Sequence, residues 1–199
     1  TRYDRPVNDA KQLFDDARRA QRRARRRAEY RRGLRDFAVA AWEISKEHNV
    51  GSLVRTAHAS AAAEVILVGR REFNVEAART AELYTDVVHL ADEQALRRRM
   101  ASRGWQLVAV EIDERSMSLF EAEYPPNPCF LLGPELGALP ESLLADAATV
   151  VQIPQWGLVP SLNLAVAGSI VIYDYLAKLH RSGGLDRPDG GLATVEPDD

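Results

Sequence analysis

Polar residues that could contact a ligand are concentrated in three short segments, each of which follows an apolar run. The segments read HNVGSLVRTA, LLGPELGALP and IPQWGLVPSLN, and they begin at residues 48, 131 and 153. Each combines glycine or proline, which bend the chain, with amide, hydroxyl, carboxylate or guanidinium groups. The patterns of a dinucleotide-binding site, a P-loop and a hydrolase nucleophile elbow are absent, because the sequence contains no GxGxxG after a strand, no GxxxxGK[ST] and no GxSxG. The sequence therefore predicts a small-molecule site built from three loops.

The elements that must position these loops alternate between strands and helices. Strands are predicted at residues 37–44, 64–69, 86–90, 105–112, 129–133 and 149–153, and helices at 8–30, from 49, at 75–84, 92–104 and 140–147, and from Ser161 to about Arg181. This order is typical of an α/β fold with a mostly parallel sheet, and strands without strict alternation indicate helices on both faces. Ligands of such sheets bind beyond the carboxyl ends of the strands, where the three loops would converge.

Single residues of the loops also have local structural interpretations. Asn49 could cap a helix, Ser161 is a natural N-cap after Pro160, and Glu135 could cap the helix that follows it. Arg55 falls two turns inside a packed helix, where a charged side chain needs a partner or a function. For any one loop the two interpretations are balanced, and the three loops together favour a ligand.

The charge of the chain is divided unevenly. Residues 1–35 contain 13 Lys/Arg and 5 Asp/Glu, a balance of +8, while the rest has a balance of −11. Ten arginines fall between Arg18 and Arg35. The segment has few apolar residues, so it is expected to be a helical extension that contacts the phosphates of a nucleic acid, among others through Arg18, Arg22, Arg23 and Arg26. A solvated helix paired with an acidic surface is the alternative interpretation.

Several further properties limit the function classes. One cysteine cannot form an internal disulfide, which favours a reducing, cytoplasmic setting. The four histidines lack metal-ligand spacing, and no apolar run is long enough for a membrane span. Neither a metal nor a membrane is therefore expected. Residues 182–199 contain four Gly, two Pro and five acidic residues and are expected to form a flexible acidic tail after a domain of residues 36–181.

The three loops resemble the motifs of the SpoU–TrmH family of RNA methyltransferases, within the SPOUT superfamily. The first motif, N-x-G-x-x-x-R, is matched by Asn49, Gly51 and Arg55. The second, G-x-E-x-x-G-L, is matched by Gly133, Glu135 and Leu139, although Ala138 replaces its last glycine and Gly137 could shift the bend by one residue. The third, I-P-x-x-G-x-x-x-S-L-N, is matched by Ile153, Pro154, Gly157, Ser161, Leu162 and Asn163. The resemblance covers roughly residues 37–180.

This resemblance implies a cofactor and a set of site residues. The family uses S-adenosylmethionine, which would be held by residues of the second and third motifs, namely Leu132, Gly133, Ile153, Gly157 and Leu162. Ser161 and Asn163 would shape the methionine end of that site or the catalytic loop. The family reaction is methylation of a ribose 2′-hydroxyl in tRNA or rRNA, with tRNA slightly favoured here.

The resemblance also implies that Arg55 is essential to the reaction, with Asn49 and Glu135 orienting it. A guanidinium is an awkward base near neutral pH, because its pKa exceeds about 12. Arg55 could accept the hydroxyl proton with help from an RNA phosphate, or it could position the ribose and stabilise developing negative charge. Both roles remain open at this point.

Family members form a deep trefoil knot at the C-terminus and act as homodimers in which the first motif reaches the partner's site. Both features are implied by the resemblance alone, and true knots are otherwise rare. Two alternatives to a 2′-O-methyltransferase remain. One is a noncatalytic RNA-binding or ribosome-associated protein with the same fold, and the other is a base methyltransferase, which the Asn/Arg first motif disfavours.

Overall fold

The computed structural model describes residues 9–69, 73–159 and 161–185, and it contains two compact units. One unit contains the helix α1, Asp9–Arg32, which agrees closely with the predicted N-terminal helix. Arg31 and Arg32 lie in its last turn, where positively charged side chains interact favourably with the helix dipole. The second unit begins at Arg35. Of the predicted acidic tail, residues 186–199 lie outside the described residues.

The second unit alternates strands with helices along the chain. In order, its elements are β1 Arg35–Trp42, α2 Glu47–Ala59, β2 Ala62–Val68, α3 Val75–Ala78, a 3₁₀ turn Ala81–Leu83, β3 Val87–Leu90, α4 Glu93–Arg103, β4 Gln106–Val110, β5 Met117–Ser118, β6 Pro128–Leu132, α5 Glu141–Asp146, β7 Thr149–Gln152 and α6 Leu164–Arg181. The seven strands form one sheet in the order β3-β2-β1-β6-β4-β7-β5. Every strand pairing in the described part of the chain is parallel, which confirms the predicted α/β class.

Helices cover both faces of the sheet, as the apolar strands predicted. Along β1, Phe37 and Val39 point to a core shared with α2 and α6, while Ala38 and Ala40 point to a core shared with α4 and α5. Successive side chains of a strand alternate between faces, so a strand buried on both sides must be apolar throughout. The sheet is thereby held between two helical layers, and its carboxyl edge stays open for the loops.

A buried carboxylate joins the sheet to α4. Glu64 of β2 is 1% exposed and forms ion pairs with Arg99 and Arg103, with 2.9 Å between Arg99 Nε and Glu64 Oε2. A buried carboxylate is tolerated only when it is paired and hydrogen-bonded. These ion pairs therefore fix the position of α4 on the sheet and neutralise the buried charge of Glu64.

Several predicted boundaries are wrong. α2 begins at Glu47 rather than near Asn49, and α6 begins at Leu164 rather than at Ser161. The predicted helix 75–84 is interrupted at Arg79 and Thr80, both of which have positive φ. The short strand β5, which pairs with β7, was not predicted because two residues carry no periodic signal.

No helix in the described ranges has both the length and the apolarity that a membrane crossing requires.

Candidate active site

A cavity of about 340 Å³ opens at the carboxyl edge of the sheet. Five chain segments line it: the start of α2, the ends of β4, β6 and β7 with the residues that follow them, and the start of α6. This size falls within the range of about 300–1,000 Å³ that is typical of small-molecule sites. The three polar loops therefore meet at one cavity, as the sheet topology predicted.

Glu135 forms hydrogen bonds with residues at the N-terminus of α2. Its carboxylate accepts hydrogen bonds from Ser45 N at 2.9 Å, Ser45 Oγ at 2.9 Å and Lys46 N at 3.3 Å. Carboxylates stabilise helix N-termini, where backbone N–H groups lack acceptors and the dipole is positive. Glu135 therefore holds the two residues that lead into α2, about ninety residues earlier in the chain, and does not cap α5, which follows it.

Two asparagines continue this contact to α6. Asn49 Nδ2 donates to Glu135 Oε1 at 3.0 Å, and Asn49 Oδ1 accepts from Asn163 Nδ2 at 2.9 Å. Asn163 Oδ1 in turn accepts from Ala165 N at 2.9 Å and so caps α6. One chain of hydrogen bonds thus joins residues of all three motifs, and it fixes the relative positions of α2, α6 and the loop after β6.

The same contacts set the ionisation of Glu135. Partial burial alone would raise the pKa of its carboxyl group, but the hydrogen bonds from Ser45 and Asn49 outweigh burial and lower the pKa below its ordinary value. Glu135 is therefore ionised at neutral pH. A fixed negative charge at this position keeps Asn49 oriented with its amide nitrogen toward Glu135 and its oxygen toward Asn163.

Most of the predicted site residues line the cavity. They are Asn49, Leu132, Gly133, Glu135, Ile153, Ser161, Leu162 and Asn163. Ser161 is not the N-cap of α6, since Asn163 holds that position, and the Ser161 side chain is exposed at the cavity. Gly157 does not line the cavity, and a Cβ at this position would meet nothing within 4 Å.

Arg55 lies outside this cavity. Its exposed side chain lines a second cavity, of about 720 Å³, together with His48 and Ser52 of α2 and residues of the α3 region. Residues 48, 52 and 55 lie on one side of α2, but Arg55 lines neither the first cavity nor the groove beside α6 that His48, Asn49 and Ser52 share. Within one chain, Asn49 and Glu135 contact each other but do not orient Arg55.

The motif glycines have structural reasons that the sequence did not reveal. A Cβ at Gly51 would lie 2.3 Å from Asn74 O and 2.6 Å from Ala77 Cβ, so glycine allows α2 to pack against α3. In the second motif the left-handed conformation falls on Gly137, at φ +100°, and Ala138 is not among the described residues with positive φ. The bend is therefore shifted by one residue, and Ala138 introduces no backbone strain there.

Several lining residues were missed from the sequence, and four of them have polar or charged side chains: Lys46, Glu111, Gln152 and Gln155. Glu111 follows β4, and its carboxylate accepts from Ile112 N at 2.9 Å and Leu139 N at 3.2 Å. An acidic residue at the end of an apolar parallel strand was the available signal, because that position places it at the open edge of the sheet. Glu111 thus brings a carboxylate into the cavity beside Gly133.

The cavity fits S-adenosylmethionine by size and by the groups that it presents. A Cβ at Gly133 would lie 2.7 Å from Glu111 Oε2, so glycine lets the Glu111 carboxylate lie against the backbone at the end of β6, inside the cavity lining. The lining combines apolar side chains such as Leu132 and Ile153 with backbone groups and carboxylates. Apolar walls suit an adenine ring, backbone groups suit its edge, and carboxylates suit ribose hydroxyls and a sulfonium charge.

The arginines assigned to RNA contact lie along α1. Arg18, Arg22 and Arg26 follow at intervals of four residues and so share one face, with Arg23 next to it. Arg18, Arg22 and Arg23 are exposed, and Arg26 is partly buried. The described ranges contain no group of three or more His, Cys, Asp or Glu side chains that could hold a metal ion.

Comparison with known proteins extends these observations. Residues 36–173 match the model of the SpoU rRNA Methylase family. The chain is 27% identical over 165 residues to the tRNA (guanosine(18)-2′-O)-methyltransferase of Escherichia coli (strain K12), a match that covers 81% of this chain and 72% of the relative.

Two solved structures are similar in fold. The Aquifex aeolicus TrmH/SpoU tRNA modifying enzyme aligns with a TM-score of 0.73 at 23% identity and covers 85% of this chain and 88% of its own. The AdoMet-bound rRNA methyltransferase of Sinorhizobium meliloti aligns with a TM-score of 0.65 at 28% identity, over 75% of this chain and 60% of its own. The match of residues 36–173, which spans most of the α/β unit and all three cavity loops, confirms the resemblance seen in the sequence: the chain belongs to the SpoU rRNA methylase family.

Proposed function

We propose that this protein is an S-adenosylmethionine-dependent methyltransferase that acts on a ribose 2′-hydroxyl of tRNA. The observation that carries the proposal is the assembly of three family motifs around one cavity of cofactor size at the carboxyl edge of the sheet. The E. coli relative, named for methylation of guanosine 18 of tRNA, supports tRNA over rRNA as substrate. The tRNA substrate and the single cysteine are consistent with a cytoplasmic location.

The residues of the chain have separate tasks in this reaction. When bound, S-adenosylmethionine supplies an electrophilic methyl group. Leu132, Gly133, Ile153 and Leu162 bind the cofactor, and Glu111 adds a carboxylate to that site. Asn163, held by Asn49, and the exposed Ser161 shape the side of the cavity next to α6. The main contribution of the protein is to align the ribose hydroxyl with the methyl group.

Arg55 acts on the ribose in a site formed with a partner subunit. Its position in the second cavity, away from Glu135 and Asn163 of the same chain, supports action across an interface. A guanidinium cannot be deprotonated readily near neutral pH, so Arg55 is assigned to positioning the ribose and stabilising developing negative charge on its oxygen. Gly157 is assigned no direct cofactor contact.

A homodimer would use the exposed face of α6 beside α2. Val166 is 47% exposed and Tyr173 53% exposed, and they follow one another by two turns with the half-buried Ile170 between them. A shallow groove of about 390 Å³ between α2 and α6 adjoins this face. A Val166→Glu variant should be monomeric in analytical ultracentrifugation and inactive, yet still bind S-adenosylmethionine. A dimeric Val166→Glu variant would contradict this interface.

A trefoil knot would account for the path of the chain into α6. Although α6 follows β7 along the chain, it packs against α2 and β6, where Gly168 of α6 approaches Leu53 and Leu132. Pulling both termini with optical tweezers should therefore leave a tightened knot and an extended length shorter than about 3.3–3.6 Å per residue for the whole chain. The full extended length would contradict the knot.

The arginines of α1 would hold the RNA by its phosphates. Such contacts position the substrate without reading its sequence. A chain without residues 1–35 should lose most of its tRNA affinity and keep its affinity for S-adenosylmethionine. Unchanged tRNA affinity at moderate salt would contradict this role.

Methyl transfer from labelled S-adenosylmethionine to unmodified tRNA and rRNA transcripts tests the proposed function. We expect transfer to tRNA at a ribose, with loss of about 10²-fold or more in activity for Arg55→Ala and little change in cofactor binding. Arg55→Lys serves as the matched control for charge, and it should remain strongly impaired because ammonium lacks the planar donor geometry. Absence of transfer to any RNA would instead favour a noncatalytic RNA-binding protein.

A further inference from the structure

Two exposed aromatic rings stack on one another outside the cavity. The ring centroids of Phe120 and Trp156 are 6.4 Å apart, and their planes differ by 19°. Phe120 is 65% exposed and Trp156 is 85% exposed. By contrast, Trp105 is buried and donates its indole N–H to Asp36 at 2.7 Å. The nearly parallel pair therefore leaves aromatic ring surface exposed on the outside of the molecule.

This aromatic pair lies on the rim of the candidate active site. Phe120 comes two residues after β5, and Trp156 comes four residues after β7, which is the parallel neighbour of β5. Both rings therefore stand at the carboxyl edge of the sheet, where the cavity opens. Gln155, directly before Trp156, lines the cavity, as does the exposed Ile112. Neither ring lines the cavity itself.

A flat, exposed aromatic surface at this place suits one class of occupant. Every nucleobase has a π-face, and stacking on aromatic side chains stabilises unpaired bases with little dependence on their identity. When a nucleotide of an RNA loop places its ribose in the cavity, its base and the neighbouring bases lose part of their stacking, which exposes their faces. A protein surface that offers replacement stacking beside the cavity offsets that cost.

We propose that Phe120 and Trp156 form a stacking platform for an unpaired base of the tRNA at or next to the methylated ribose. The proposal rests on RNA being the substrate. It differs from the role of the arginines of α1, which would contact phosphates through charge, because stacking needs no charge. The two contributions therefore have different salt dependence.

The test uses the full-length protein and an unmodified tRNA transcript. Trp156→Ala and Phe120→Ala should each weaken tRNA binding by about tenfold, within the range found when a stacking ring is removed. The slope of log affinity against log salt concentration should stay unchanged, because no phosphate contact is lost. The matched control Trp156→Phe keeps a ring and should retain affinity to within about twofold. Binding of tRNA should quench the fluorescence of Trp156 in the wild type, and this quenching should be absent in Trp156→Phe.

Each other outcome overturns the platform. Unchanged tRNA affinity in both alanine variants would show that the rings bind no base. A loss confined to S-adenosylmethionine binding would assign them to the cofactor adenine, and a change of oligomeric state would assign them to a protein interface. Methyl transfer by the wild type is measured separately. Transfer without dependence on Trp156 would reject the platform alone, whereas ring-dependent tRNA binding without transfer would reject the enzymatic function alone.

Discussion

Replacing Glu135 with glutamine should weaken the hydrogen bonds that join the three motifs, because it removes the carboxylate that accepts them. The carboxylate accepts four hydrogen bonds: two from Ser45, one from Lys46 N and one from Asn49 Nδ2. Glutamine is nearly isosteric but has one oxygen acceptor and an NH₂ group that can only donate. In one orientation the glutamine oxygen keeps the hydrogen bonds from Asn49 Nδ2 and Lys46 N. Its NH₂ group then faces the backbone N–H and the hydroxyl group of Ser45.

The expected loss follows from the contacts that glutamine cannot keep. Hydrogen bonds to a charged group contribute about 1.5–3 kcal/mol each, and a lost N-cap costs about 0.5–2 kcal/mol. Ser45 and Lys46 are exposed, so water replaces part of what is lost, and the lower part of these ranges applies. We expect the free energy of unfolding to fall by about 2 kcal/mol at pH 7, which lowers Tm by roughly 4–8 °C in a chain of this size.

The effect should disappear in acid. The hydrogen bonds hold the folded-state pKa of Glu135 below its ordinary value, so the stabilisation is present above the unfolded pKa of about 4.3. It is lost as pH falls through the lower folded-state pKa, because the wild-type carboxyl group then becomes protonated. The difference in stability between wild type and Glu135→Gln should therefore be constant from about pH 7 to pH 5.5 and shrink steadily below about pH 4.

Urea unfolding followed by circular dichroism at a series of pH values provides the measurement. Glu123→Gln is the matched control, since Glu123 is an exposed glutamate remote in sequence from the motifs, and its replacement should change stability by less than about 0.5 kcal/mol. Equal stability of Glu135→Gln and wild type at pH 7 would refute the reasoning. A difference that persists unchanged at pH 3 would show that the carboxylate charge is not its cause.

Three further outcomes follow from the described contacts. Glu64→Gln should lower the free energy of unfolding by about 3 kcal/mol, because Arg99 and Arg103 lose their buried partner; an effect below about 1 kcal/mol in urea unfolding would contradict a buried ion pair. Burial raises the pKa of Cys129 to about 12, so iodoacetamide should label the native chain at pH 8 far more slowly than the denatured chain, and equal rates measured by mass spectrometry would contradict its burial. Combined replacement of Arg18 and Arg22 by glutamine should make the salt dependence of tRNA binding shallower by about 1.4–1.8 in slope, and an unchanged slope would show that neither residue contacts phosphate.

Much of the fold could be predicted from the sequence because the signals are local. The runs FAVAAWEI, EVILVG and CFLLG are apolar on both faces, and only a strand between two helical layers accounts for that pattern. The three polar loops follow such runs, so a parallel sheet places them at one edge. Most of the predicted site residues line one cavity for this reason alone.

The errors fall where long-range contacts override local preference. Ser161 has the local properties of an N-cap, yet Asn163 caps α6 because its side chain also reaches Asn49. Glu135 is close in sequence to α5, yet it binds α2, which the sheet brings to the same edge. Glu111 was missed because the strand was predicted to run to residue 112, which placed Glu111 inside the strand, whereas β4 ends at Val110.

By itself, the sequence determined the α/β class, the basic character of residues 1–35 and the motifs that identify the family. Only the tertiary structure decided how the motif residues are divided. It joins Glu135, Asn49 and Asn163 by hydrogen bonds at one cavity and leaves Arg55 lining another. The physical reason is that spacing along the chain defines the face of a helix, whereas the partner of a side chain depends on which elements the sheet brings together.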